Sequence, residues 1–106
     1  MYRGTMQPGS RDPGLLILTS LAAGPRHGYA IVEDVAAFAG VRLGPGTLYG
    51  ALARLEASGL ITALAADDRR RPYELTAAGS AALARELEAL DRVTAAARER
   101  LPEARG

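Results

Sequence analysis

The chain has 106 residues, 48% hydrophobic and 24% charged, values typical of one globular domain with a single core and no roomy enclosed cavity. Formal net charge is only +1 at pH 7, all 13 basic residues are arginine, cysteine is absent and His27 is the sole histidine. Disulfides, thiolate and histidine-cluster metal sites, thiol nucleophiles and lysine-based phosphate loops are thereby excluded, so no cofactor or metal is expected and an enzyme is the remotest reading.

Residues 1–14 are rich in Gly, Pro and polar side chains and are expected to form a flexible arm, with Asp12 and Pro13 suited to cap and open a first helix. Leu15, Leu16, Leu18, Leu21 and Ala22 follow at helical spacing until Gly24-Pro25 stops the run. The apolar stretch from Gly14 to Gly24 is too short for a membrane span, so a soluble, cytoplasmic protein is expected. Ile31, Val32, Val35, Phe38 and Ala39 then line one side of an amphipathic second helix, opposite Glu33 and Asp34. A turn from Gly40 to Gly46 leads to Thr47, a favoured N-cap, and to a third helix with Leu48, Leu52 and Leu55 as its apolar stripe. Gly59 stands where a left-handed residue ends it.

Away from that stripe the third helix presents Thr47, Gly50, Ala53, Arg54 and Ala57, with Tyr49 at the flank. A solvated helix ordinarily carries charges there; this bare surface suits close contact, although an alanine-rich, arginine-only chain also reflects a GC-rich genome. Leu60 to Ala65 and Tyr73 to Thr76 read as a β-hairpin whose tip holds Asp67, Asp68, Arg69, Arg70 and Arg71. Thr76 can cap a last helix running from about Ala77 to Leu101, with Pro102 beyond it. Its Leu83, Leu87, Leu90, Thr94, Ala97 and Leu101 alternate spacings of four and three, the seam of a helix pair. A lone helix would leave that stripe wet, so a homodimer is expected, with Leu15 and Leu18 of the first helix adjoining the seam.

Three helices, a hairpin and a fourth helix are the order of a winged helix-turn-helix, a mainly α architecture with a small β-hairpin, in the α+β class. The third helix then enters the DNA major groove. Arg69, Arg70 and Arg71 occupy the wing tip, Arg54 the outer face of the recognition helix, and Arg26 with His27 the start of the second helix. Residues 15–76 would form the DNA-binding domain and 77–106 the dimerisation helix.

Pro45-Gly46-Thr47-Leu48-Tyr49, Ala51-Leu52, Arg54-Leu55-Glu56, Gly59-Leu60-Ile61, Tyr73, Leu75-Thr76 and Gly79, preceded by His27-Gly28-Tyr29, resemble the signature of PadR-type transcriptional regulators. The resemblance spans about Leu15 to Leu90 and corresponds to the short branch with one C-terminal helix. It implies a dimeric, DNA-binding regulator, usually a repressor of inverted-repeat operators, released in several branches by small aromatic or drug-like effectors at the dimer interface. By the same resemblance Thr47 and Tyr49 face DNA, Tyr29 approaches a phosphate and the wing arginines follow the backbone. Gly50 replaces the family's usual proline, Asp68 a common glycine and Pro72 a common basic residue. Few aromatics are available to stack on an effector, Phe38 and Tyr2 among them. The competing reading is a winged-helix protein–protein interaction module without sequence-specific DNA binding, motivated by the low net charge and the acidic residues beside the wing.

Overall fold

The computed structural model describes residues 12–102. Its elements are α1 (Pro13–Leu21), β1 (Arg26–His27), α2 (Gly28–Ala39), α3 (Pro45–Ala57), β2 (Ile61–Ala63), β3 (Pro72–Leu75) and α4 (Ala77–Arg100). Pro13 and Gly14 thus belong to α1 and Asp12 is its cap rather than part of an arm, and residues 1–11 of the expected arm, with Tyr2, lie outside the described residues.

Asp12 caps α1 by accepting the Gly14 N–H at 3.3 Å, and Pro13 supplies the preset first residue. Leu15, Leu16, Ile17, Leu18 and Leu21 are all buried. Such all-round burial follows from position: α1 is the central helix, touching α2, α3, α4 and β3. Ile31 and Val35 of α2, Leu48, Ala51 and Leu52 of α3, Ile61 of β2 and Leu83 of α4 complete the core. Leu43, in a stretch expected to be only a turn, is buried with them. Ser20 is buried as well, and its hydroxyl has no hydrogen-bond partner among the described residues.

Four details differ from the sequence reading. First, α3 begins two residues before Thr47: Gly44 is the N-cap, without a side-chain bond, and Pro45 opens the helix. Proline's fixed φ makes it the better first residue, and it overrides the capping preference of threonine. Second, the hairpin gains a third strand, because the two residues of β1 pair antiparallel with β3, Arg26 opposite Tyr73 and His27 opposite Pro72, giving the order β1-β3-β2. A two-residue strand carries no readable period. Third, Phe38 is half exposed instead of joining the core. Fourth, Leu15, Leu18 and Leu83, expected at the dimer seam, are each less than a tenth exposed and pack inside the protomer's own core.

The start of α4 is tied to the end of α3. Gly59, at φ 78°, ends α3, with its N–H on the Glu56 carbonyl and the Leu60 N–H on the Leu55 carbonyl, the paired bonds of a Schellman turn. Thr76 donates its N–H to the Leu60 carbonyl at 3.1 Å and its hydroxyl to the Gly59 carbonyl at 2.7 Å, and the same hydroxyl accepts the Gly79 N–H at 3.0 Å. Gly79 is packed so closely on Leu60 that a Cβ would collide with its carbonyl oxygen.

Gly79→Ala is therefore expected to lower stability by about 3 kcal/mol in urea unfolding, although alanine is the better helix former. Ser20→Ala, which removes a buried unpaired hydroxyl, is expected to raise stability by about 1 kcal/mol in the same measurement.

Candidate nucleic-acid interface

The pairing of β1 with β3 brings the entry of α2 against the wing. His27 is extended at φ −87° and ψ 169° and caps α2, its Nδ1 accepting the Ala30 N–H at 3.4 Å. Its Nε2 lies 3.1 Å from Nη1 of Arg70. A neutral imidazole has one accepting nitrogen, so the helix cap and the wing arginine compete for it. An anion that drew Arg70 away would leave His27 free to cap α2 and to turn an N–H toward the same anion.

Beyond β2, pairing continues through the Leu64 N–H on the Pro72 carbonyl at 2.8 Å. Asp67 and Arg70 then exchange backbone hydrogen bonds at 2.6 and 2.9 Å around Asp68 and Arg69, whose φ values are 52° and 73°. Two successive left-handed residues make a type I′ turn, where Asn-Gly or Asp-Gly is preferred. Aspartate tolerates the left-handed region, whereas arginine at Arg69 is strained there. All three arginines of the tip are exposed.

Tyr49 reaches from α3 to the start of α2, its hydroxyl against Gly28. The result is a cleft of about 350 Å³ lined by His27, Gly28, Tyr29, Tyr49, Arg69, Arg70, Arg71 and Tyr73. Six of the residues singled out in the sequence for DNA contact thus meet in one place: His27, Tyr29, Tyr49 and the three wing arginines. Tyr73, half-buried on β3, was legible only as part of a family signature; its place beside the arginines follows from strand pairing. Three guanidinium groups supply bidentate donors for phosphate, and the tyrosines add hydroxyls and flat apolar faces.

The other candidates lie elsewhere. Thr47 and Arg54 are exposed on the opposite edge of the outer face of α3, and the Arg54 guanidinium fills the space over Gly50, where a Cβ would be 3.6 Å from its Nη1. Arg26 is not part of the cleft. Its Nε donates to the Ser20 carbonyl at 3.2 Å and its Nη2 is 3.8 Å from Asp34, which ties the end of α1 to α2. Among the described residues no group of three or more His, Asp and Glu could hold a metal ion, and no helix is long and apolar enough to cross a membrane.

A central helix flanked by two others, a short sheet whose wing tip is basic, and an exposed small-residue face on α3 define a winged helix-turn-helix protein of the nucleic-acid-binding kind. Residues 17–85 match the model of the Transcriptional regulator PadR-like family, well over half of the chain, and the chain belongs to that family. It is 48% identical over 85 residues to an uncharacterized 37.1 kDa protein in transposon TN4556 of Streptomyces fradiae, covering 80% of this chain but only a quarter of that protein's length. It is 41% identical over 80 residues to the transcriptional regulator Rv3488 of Mycobacterium tuberculosis, covering 73% of this chain and 74% of that regulator. A crystal structure of a PadR family transcription regulator from hypervirulent Clostridium difficile superposes with a TM-score of 0.75 at 25% identity, over 82% of this chain and 95% of that one. The family is one of transcriptional regulators rather than enzymes.

Two substitutions separate structural from binding roles. Arg69→Gly is expected to stabilise the hairpin by about 1 kcal/mol through relief of the left-handed strain, while lowering the magnitude of the salt slope of DNA binding by up to about one. Arg26→Ala is expected to cost stability on the order of 1 kcal/mol and to leave that slope unchanged. Thermal unfolding and anisotropy at several salt concentrations check both.

Proposed function

We propose that the protein is a cytoplasmic, homodimeric transcriptional repressor that binds inverted-repeat operator DNA and is released by a small aromatic or drug-like effector. The observation that carries this reading is the convergence of Arg69, Arg70 and Arg71 with Tyr29, Tyr49 and His27 beside the bare face of α3. Phosphate binds the guanidinium groups of the wing and the donors at the start of α2, which gives affinity without sequence preference. The outer face of α3, with Thr47 and Arg54 and little else protruding, enters the major groove and reads base edges. Occupancy of an operator is enough to block transcription, so repression needs no further surface.

Dimerisation rests on the part of α4 beyond the core. Leu83 is buried within the protomer, but Leu87 is 47% and Leu101 56% exposed, and Thr94 and Ala97 are exposed on the same stripe. Leu90 packs at the margin of the core, and Val93, 64% exposed, widens the apolar face. Pairing with a second copy covers this face and presents two recognition helices to successive turns of DNA, about 34 Å apart. A groove of about 570 Å³ between α1, α2 and α4, lined by Leu15, Leu16, Thr19, Phe38, Ala39, Leu87, Leu90 and Thr94, has the size and character of a small-molecule site and adjoins the same face.

The reading is tested with a duplex selected by the protein from a random pool, beside a scrambled duplex. Arg70→Ala or Arg71→Ala is expected to weaken both duplexes by similar factors and to reduce the salt slope by about one. Thr47→Ala and Arg54→Ala are expected to weaken the selected duplex alone, by about 1–3 kcal/mol each. Binding that is insensitive to salt, or confined to a protein partner, would overturn the repressor reading in favour of an interaction module. Leu87→Asp is expected to yield a monomer in sedimentation, because a carboxylate there has to be buried against the second copy.

A further inference from the structure

Gly28 is the first residue of α2 and is buried, although it stands beside an open cleft. Its backbone does not require glycine: Gly24, Gly40 and Gly59 have positive φ, and Gly28 does not. Helix propensity also favours alanine at such a position. What glycine supplies is space. A Cβ on Gly28 would stand 2.7 Å from the Tyr49 hydroxyl, 3.3 Å from Tyr49 Cζ and 3.3 Å from Leu48 Cδ2. The first distance is impossible without movement, and the others are tight but tolerable. Removing only the phenolic oxygen removes the clash.

Tyr49 lies five residues into α3 and two beyond Thr47, so the phenol bridges the two helices that the turn from Gly40 to Gly44 joins. The bridge has few alternatives. Between α2 and α3 the contacts are sparse compared with those either helix makes to α1, and of the connection only Leu43 is buried in the core, with Val41 packed at its margin.

We propose that Gly28 is a positioning residue for DNA recognition: its missing side chain seats the Tyr49 phenol, and this seat sets the angle between α2 and α3 and holds the Tyr49 ring beside the wing arginines. The inference rests on the DNA-binding function proposed above. A side chain at Gly28 forces either the phenol out of the cleft or the start of α3 away from α2. The first takes the phenol from its place beside Arg69, Arg70 and Arg71, and the second moves Thr47 relative to them, so base-edge and phosphate contacts cease to be in register. The chief loss then falls on discrimination between DNA sequences, since a wing that remains intact still binds phosphate.

The test is a double-mutant cycle in the full chain with Gly28→Ala, Tyr49→Phe and the two combined. Affinity is read by anisotropy on the wild-type-selected and scrambled duplexes, and folding by circular dichroism in urea. Gly28→Ala alone is expected to weaken the selected duplex about tenfold and the scrambled duplex much less. In the Tyr49→Phe background the same substitution is expected to change selected-duplex affinity less than about twofold and to leave folding equal or improved. A Gly28→Ala effect of equal size in both backgrounds, or absent from both, overturns the seat. If Gly28→Ala alone does not fold, recovery of folding on adding Tyr49→Phe supports it and failure to recover overturns it. If wild-type protein binds neither duplex, the DNA-binding reading fails, and the folding comparison between the two backgrounds still decides whether the seat exists.

Discussion

The close approach of Gly79 to the Leu60 backbone joins the three functional parts of the molecule at one point. Here α3 ends in its left-handed glycine, the wing begins, and α4 starts under the cap of Thr76. The hydrogen bonds of Thr76 to Gly59 and Leu60 satisfy carbonyls of the turn just past the end of α3 that would otherwise be left to water. Because the contact is backbone on backbone, it has no rotamer through which to relax. A displacement of α4 therefore carries the end of α3 and the base of the wing with it, which is the mechanical link that the proposed release by an effector would use.

Electrostatics are local in this protein. The net charge of +1 conceals an uneven allocation, in which Arg26 and Arg42 are spent on Asp34 and Glu33 while three arginines stand exposed in succession at the wing. Asp67 and Asp68 beside them temper the field, yet the turn needs a small polar residue at a left-handed position, and aspartate fills that need where glycine is absent. The wing thus accommodates turn geometry and cation density in the same few residues, with the strain falling on Arg69.

Most of the architecture was legible in the sequence. The four helices, the hairpin, the Asp12 and Thr76 caps and the Gly59 stop rest on signals within a few residues of one another. The discrepancies have physical causes of the same kind: Pro45 outweighed Thr47 as a helix opener, and β1 exists only because β3 lies beside it. At the candidate site, the fold brings His27, Tyr29, Tyr49 and the wing arginines to one cleft. Arg26 stands outside that cleft, since the surroundings of a cation depend on which carboxylate the fold brings near, and here that is Asp34 of α2.

By itself the sequence determined the order of elements, the identity of their apolar faces and the location of the basic tip, because helical period, capping and turn chemistry act over a few residues. Tertiary structure decided which apolar residues remain on the surface: Leu15 and Leu18 became core because α1 is enclosed on all sides, and Leu83 because α4 packs on α1, while Leu87, at the groove between α1, α2 and α4, and Leu101, beyond the last residue of α4, stay exposed. It also decided that a Cβ on Gly28 would meet the Tyr49 phenol. That phenol is 21 positions away in the chain, and no local pattern contains a contact that forms only when two helices meet.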